Sequence, residues 1–217
     1  MVNLLFDYDG TLHNSLQIYA PAVQAAYDRL VELGYAEPRS WPAEVLQQWI
    51  GLSPDEMWDR FQPHLPQAER EASIALVGQR MQELLLAGRA ELYPGIPEVL
   101  ETLCSQGYRL LLLSTCPQAY LDAHRKQFSL ERYFSGLYCG EAFGYQPKHE
   151  ICRRLMEQYD GDFVAIGDRR TDMEIGLQNR FPAIGCLYGF GTTGELAEAA
   201  LTVQTPLQLP EAVAKLF

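Results

Sequence analysis

The sequence predicts an α/β fold: a Rossmann-like parallel sheet core with helices on both faces, plus a helical cap inserted after the first strand. Three observations carry that expectation. Short runs that are apolar nearly throughout and do not alternate occur at Val2 to Phe6 (VNLLF), Arg109 to Leu113 (RLLLL) and Phe163 to Gly167 (FVAIG). Such runs suit strands buried on both faces of a parallel sheet. Helical patterns lie between them, and strand alternating with helix implies right-handed crossovers. Finally, residues 14–92 are helical in character and hold no convincing strand, too long a stretch for a simple crossover.

In chain order, the first strand leads into Asp7. Ile18 to Leu33 then carries apolar side chains at helical spacing and ends at Gly34. Ser53-Pro54-Asp55-Glu56 is a helix start, with Ser as N-cap, Pro at the first position and Glu three residues on. Ala68 to Ala87 reads as one long helix. Pro97 to Gln106 opens on proline and closes at Gly107. The second strand runs into Ser114. Lys148 to Tyr159 repeats apolar residues at Ile151, Leu155 and Met156, and the strand after it ends at Asp168. Two further strands are expected around Ala183 to Leu187 and Ala200 to Val203. The resulting domains are residues 1–13 with 93–217 as the α/β core and residues 14–92 as the cap, with hinges near Leu12 to Ser15 and Leu92 to Gly95.

The chain has 217 residues, 47% of them hydrophobic, which is enough for a substantial core and argues against disorder. Its formal charge of -11 repels phosphate backbones and anionic lipid, so neither nucleic acid nor membrane is an expected partner. No apolar stretch approaches the roughly 20 residues of a membrane helix, and the opening MVNLLFDYDG has no basic leader. Five scattered cysteines without a C-x-x-C pair fit reduced thiols in a cytoplasmic protein. Monomer and homodimer both remain open.

Ligands of open α/β sheets bind outside the carboxyl ends of the strands, and Asp7, Ser114 and Asp168 are expected there. Asp7 and Asp9, two residues apart on extended backbone, point the same way. Gly10 permits a tight turn, and Thr11 supplies a hydroxyl and backbone N–H groups. Asp168 and Asp172 add two more acids, the latter in the first turn of a helix. Four acids gathered at one sheet edge repel each other, by about 1 kcal/mol per pair at 4 Å in water and about 4 at an intermediate dielectric. Lys148 is the candidate fixed cation, and the all-oxygen ligand set favours a hard ion such as Mg2+.

These residues resemble the haloacid dehalogenase (HAD) superfamily, in particular its phosphoglycolate-phosphatase-like branch with a helical cap. DYDGTLHNS, LLLLSTCP, the PKHE around Lys148 and GDRRTDME are similar to that family's four motifs, in order. WIGLSPDEMW and YGFGTTGEL are similar to a cap loop and a late glycine-rich turn of the branch. The resemblance implies a Mg2+-dependent phosphatase that hydrolyses a small phosphate monoester through an aspartyl-phosphate. Asp7 is then the nucleophile, and Asp9 the acid that protonates the leaving alcohol and afterwards activates water. The metal would be held by Asp7, the Asp9 carbonyl, Asp168 and Asp172. Substrate phosphate would meet Gly10, Thr11, Lys148 and either Ser114 or Thr115. Lys148 follows Pro147, whereas many relatives have the reverse order. The alternatives are a phosphomutase of the same fold and a non-catalytic phosphate-binding or regulatory relative. His13 reads as a surface or hinge residue, Cys116 as core packing, Arg169 and Arg170 as solvent-facing charges, and Trp41, Trp49 and Trp58 as filling for the cap's core.

Overall fold

The computed structural model describes residues 1–217. Its contacts divide the chain into two compact units, one of Met1–Asn14 with Leu92–Phe217 and one of Ser15–Glu91.

The first unit is built on six strands: β1 (Val2–Phe6), β2 (Arg109–Ser114), β3 (Phe134–Cys139), β4 (Asp162–Gly167), β5 (Ala183–Cys186) and β6 (Leu201–Val203). They form one sheet in the order β3-β2-β1-β4-β5-β6, with every neighbouring pair parallel. The five helices α1 (Leu16–Glu32), α2 (Ala43–Leu46), α3 (Pro54–Phe61), α4 (Gln67–Leu86) and α5 (Ile96–Ser105) precede β2, and all but α5 belong to the second unit. α6 (Gln118–Phe128), α7 (Lys148–Met156), α8 (Arg170–Asn179) and α9 (Leu209–Ala214) complete the first unit.

The sheet is covered on both faces, which is why its strands need no polar side. One face presents Leu4, Phe6, Leu110, Leu112, Val164 and Ile166 to a core shared with α5 and α9. The other presents Leu5, Leu111, Leu113, Phe163 and Ala165 to a second core with α7 and α8. Because successive strand side chains point to opposite faces, an unbroken apolar run serves both cores. The strand register continues one step past β1, where the Asp7 N–H donates to the Ile166 carbonyl at 2.8 Å. Asp7, Ser114 and Asp168 therefore stand at the carboxyl ends of three adjacent strands, β1, β2 and β4.

β3 was not expected. It lies at the sheet edge, and its sequence, FSGLYC, is interrupted by Ser135 and Gly136. The glycine has a packing reason: the Tyr138 and Tyr159 hydroxyls meet at 2.7 Å, and a Cβ on Gly136 would strike both tyrosines. The expected helix ends shift by small amounts. α5 begins at Ile96 behind the left-handed Gly95, and α7 ends at Met156 rather than Tyr159.

The second unit has its own core, with Val23, Ala26, Tyr27, Leu30, Met57 and Trp58 buried together. Trp41 and Trp49 pack against it, as filling residues do. The α3 start is a reciprocal cap: the Glu56 N–H donates to Ser53 Oγ at 3.3 Å, and the Ser53 N–H donates to Glu56 Oε2 at 3.1 Å. No helix in the structure is long and apolar enough to cross a membrane, and all five cysteines are unpaired.

Candidate active site

Three carboxylates converge beyond the strand ends. One oxygen each of Asp7, Asp168 and Asp172 lies within 4.8 Å of the others, and all three side chains are buried. β1 delivers Asp7 and β4 delivers Asp168. Asp172 arrives on the first turn of α8, where its Oδ2 accepts the Arg169 N–H at 3.0 Å and so closes the helix start. Its other oxygen is free to turn inward. Lys148 opens α7 and is itself buried, a costly place for an ammonium unless it is paired. Its Nζ donates to Asp7 Oδ1 at 2.6 Å and to Asp172 Oδ1 at 2.7 Å.

The charges do not balance. Three buried carboxylates face one buried ammonium. Burial, then Asp172, push the Asp7 carboxyl well above its ordinary range against the pull of Lys148. Burial and Asp172 likewise raise Asp168, to about 7. For Lys148 burial alone would lower the pKa, but Asp172 and Asp7 outweigh it and hold it above the ordinary lysine value. The surplus negative charge and the all-oxygen donor set fit a hard divalent cation.

The turn after β1 shapes this cluster. Gly10 has φ +89°, and a Cβ there would collide with the Asp168 carboxylate. The Thr11 hydroxyl donates to Asp168 Oδ1 at 3.2 Å, while the Phe190 N–H donates to Asp168 Oδ2 at 2.7 Å. The Gly10 N–H donates to the His13 carbonyl at 2.9 Å and the Thr11 N–H to the Tyr8 carbonyl at 3.3 Å. Both amides are thus used inside the turn, and the Thr11 hydroxyl bonds the Asp168 carboxylate.

Ser114 ends β2, buried, with its Oγ accepting the Cys116 N–H at 3.2 Å; Thr115 follows it and is half-buried. The Asp9 carboxylate is not part of the three-acid cluster. Its Oδ1 accepts from the Tyr120 hydroxyl at 2.7 Å and contacts His13 Nδ1 at 3.1 Å, and 16% of its side chain stays exposed. Burial alone would raise the Asp9 pKa; the His13 hydrogen bond, the His13 charge and Tyr120 together hold it below the usual carboxylate value.

His13 is therefore no surface residue: it is fully buried and bonded to a site carboxylate. No motif in the α6 sequence marks Tyr120 and His124. Their signal was periodic, since Tyr120, His124 and Phe128 recur every four residues and share one helix face. Cys116 packs against the core, as expected. Arg170 is exposed, whereas Arg169 is half-buried and paired with Glu195 at 3.0 Å, so it is not simply a solvent-facing charge.

Comparison with known proteins identifies the family of the chain. The family model described as haloacid dehalogenase-like hydrolase matches residues 4–185. A 5'-nucleotidase of Pseudomonas aeruginosa is 30% identical over 208 residues, covering 89% of this chain and 86% of that protein. A phosphoglycolate phosphatase of Mannheimia succiniciproducens is 26% identical over 209 residues, covering 89% of each. Among solved structures, a predicted phosphatase from Clostridium acetobutylicum shares the fold with a TM-score of 0.80 at 23% identity, over 99% of this chain and 98% of that one. With a parallel sheet of this topology, acids at the ends of β1 and β4, and a family match over most of its length, the chain belongs to the haloacid dehalogenase-like hydrolases.

Proposed function

We propose that this phosphatase of the haloacid dehalogenase-like family is magnesium-dependent and hydrolyses a small phosphate monoester through a phosphoryl-enzyme at Asp7. The observation that carries the reading is the buried cluster of Asp7, Asp168 and Asp172 around Lys148, with negative charge left over. The similarity to a 5'-nucleotidase and a phosphoglycolate phosphatase favours a small phosphorylated metabolite as substrate. Five unpaired cysteines suit a reducing, cytoplasmic setting.

Asp7, Asp168 and Asp172, with the Asp9 main-chain carbonyl, would hold magnesium, which supplies charge neutralisation for the transferring phosphoryl group. The remaining chemistry belongs to the chain. A carboxylate oxygen of Asp7 attacks phosphorus, the bond from phosphorus to the ester oxygen breaks, and Asp9 donates its proton to the departing alkoxide. Water then loses a proton to Asp9 and attacks the phosphoryl group. The Asp7–phosphorus bond breaks, inorganic phosphate leaves, and both acids return to their starting states. Lys148 neutralises Asp7 and the equatorial oxygens, and Ser114 or Thr115 donates a hydrogen bond to phosphate. Gly10 and Thr11 serve the phosphate indirectly, by giving Asp168 room and fixing its carboxylate.

A panel of phosphorylated metabolites assayed with and without magnesium tests this directly. Asp7→Ala is expected to lower phosphate release by a factor on the order of 10⁴, and mass spectrometry of the quenched wild type to find the phosphoryl group on Asp7. Turnover that survives Asp7→Ala would overturn the assignment. A product that is an isomeric phosphate ester instead of free phosphate would identify a mutase.

A further inference from the structure

We infer that Tyr120 and His13 are positioning residues for Asp9, holding its Oδ1 so that Oδ2 is the oxygen that carries the transferred proton. The inference rests on the acid–base role proposed for Asp9. Tyr120 Oη lies 2.7 Å from Asp9 Oδ1 and His13 Nδ1 lies 3.1 Å from the same atom. Asp9 Oδ2 makes no hydrogen bond within the protein, and the side chain keeps an exposed face.

The assignment of protons follows from the donor inventory. An ionised carboxylate only accepts, so the Tyr120 hydroxyl and the His13 Nδ1–H both donate to Oδ1. Placing the acid proton on that same oxygen would bring three hydrogens together around one atom. Placing it on Oδ2 leaves Oδ1 as a carbonyl-type acceptor that retains both bonds. The protonated and ionised forms of Asp9 then share one orientation, and a proton passes to and from Oδ2 without rotation of the carboxyl group.

The surroundings make this a fixed clamp. The Tyr8 ring stacks on His13 with centroids 5.4 Å apart and planes 17° apart, and the Tyr8 hydroxyl meets His124 Nδ1 at 2.8 Å. The His124 ring lies 4.0 Å from that of Tyr120 and 4.7 Å from that of His13. Burial, followed by the neighbouring His13, lowers His124 to about 3, so it stands in this wall as a neutral ring. His13 Nε2 is buried without a partner, so the one polar atom of that ring with a bond is the one turned to Asp9 and Tyr120.

A merely structural clamp would slow all substrates alike; a clamp on the acid acts where the leaving group needs a proton. The test is kcat/KM, which reports steps through formation of the phosphoryl-enzyme, across esters of rising leaving-group pKa from p-nitrophenyl phosphate to alkyl phosphates. Tyr120→Phe removes one oxygen and keeps the ring. It is expected to cost about tenfold with alkyl phosphates and less than about threefold with p-nitrophenyl phosphate, steepening the dependence on leaving-group pKa. His13→Leu should do the same, while His13→Asn, which keeps a donor near the Nδ1 position, restores the shallow slope. An unchanged slope in folded Tyr120→Phe and His13→Leu, checked by thermal unfolding, overturns the inference. If Tyr120→Phe does not fold, the contrast between His13→Leu and His13→Asn decides alone. Failure of the underlying reading would look different: Asp9→Asn would then leave the wild-type slope unchanged.

Discussion

Lys148 holds two acids at once, Asp7 Oδ1 at 2.6 Å and Asp172 Oδ1 at 2.7 Å, in a place shielded from water. Removing one member of a buried ion cluster costs more than the cluster contributes, because the remaining charges stay desolvated. Lys148→Met is therefore expected to lower stability by about 3–5 kcal/mol near neutral pH, together with loss of phosphatase activity. The deficit should shrink in acid, since a proton on Asp7 or Asp168 relieves the same repulsion, and both carboxyls already hold protons more tightly than usual. Urea unfolding of the wild type and variant at pH 5 and pH 8 measures this. An equal loss at both values would mean that packing of the lysine stem, not its charge, is what matters.

Among the elements, the turn after β1 has the least freedom. Gly10 combines a left-handed backbone with a close approach to Asp168. A side chain there meets two penalties, about 1–2 kcal/mol for the backbone and displacement of a carboxylate that Thr11 and the Phe190 N–H hold in place. Gly10→Ala is expected to fold with reduced stability and to lose most of the thermal shift expected from magnesium in the wild type; calorimetry with and without the ion checks it. The apolar runs at β1, β2 and β4 were legible because burial on both faces leaves no polar alternation to confuse the pattern. β3 was not, because an edge strand that packs tyrosines over a glycine lacks that run. The α6 face of Tyr120, His124 and Phe128 was present as a four-residue period, yet no periodicity states that its partner is Asp9.

At the scale of the molecule, the acids at the sheet edge couple stability to pH and, under the proposed function, to magnesium. Burial, then Asp172, push the Asp168 carboxyl from an ordinary 3.8 up to about 7 in the folded chain. A group whose folded pKa is raised binds its proton more tightly in the folded state, so its stabilising contribution is complete below 3.8 and disappears as pH rises toward 7. The metal-free protein should lose stability across that window. Magnesium held as proposed would need the ionised carboxylates and relieve their repulsion, so its stabilising effect should grow with pH. At a hundredfold excess over its Kd the gain is about 2.7 kcal/mol, on the order of 5–10 °C in Tm for a chain of this length. Thermal scans between pH 5 and pH 8, with and without magnesium, test both slopes. A shift independent of pH would place the ion elsewhere.

The sequence by itself determined the strand runs, their order along the chain, the cap on α3, and the acids and lysine that gather at the sheet edge. Those features are local or periodic, and hydrophobic spacing or short motifs encode them directly. Only the tertiary structure decided that Thr11 turns to Asp168, that His13 is buried, and that Tyr120 reaches across from α6 to Asp9. Such contacts join residues more than a hundred positions apart, as Tyr120 and Asp9 are. Their geometry depends on how helices settle on a finished sheet, a choice made by packing that no single segment carries.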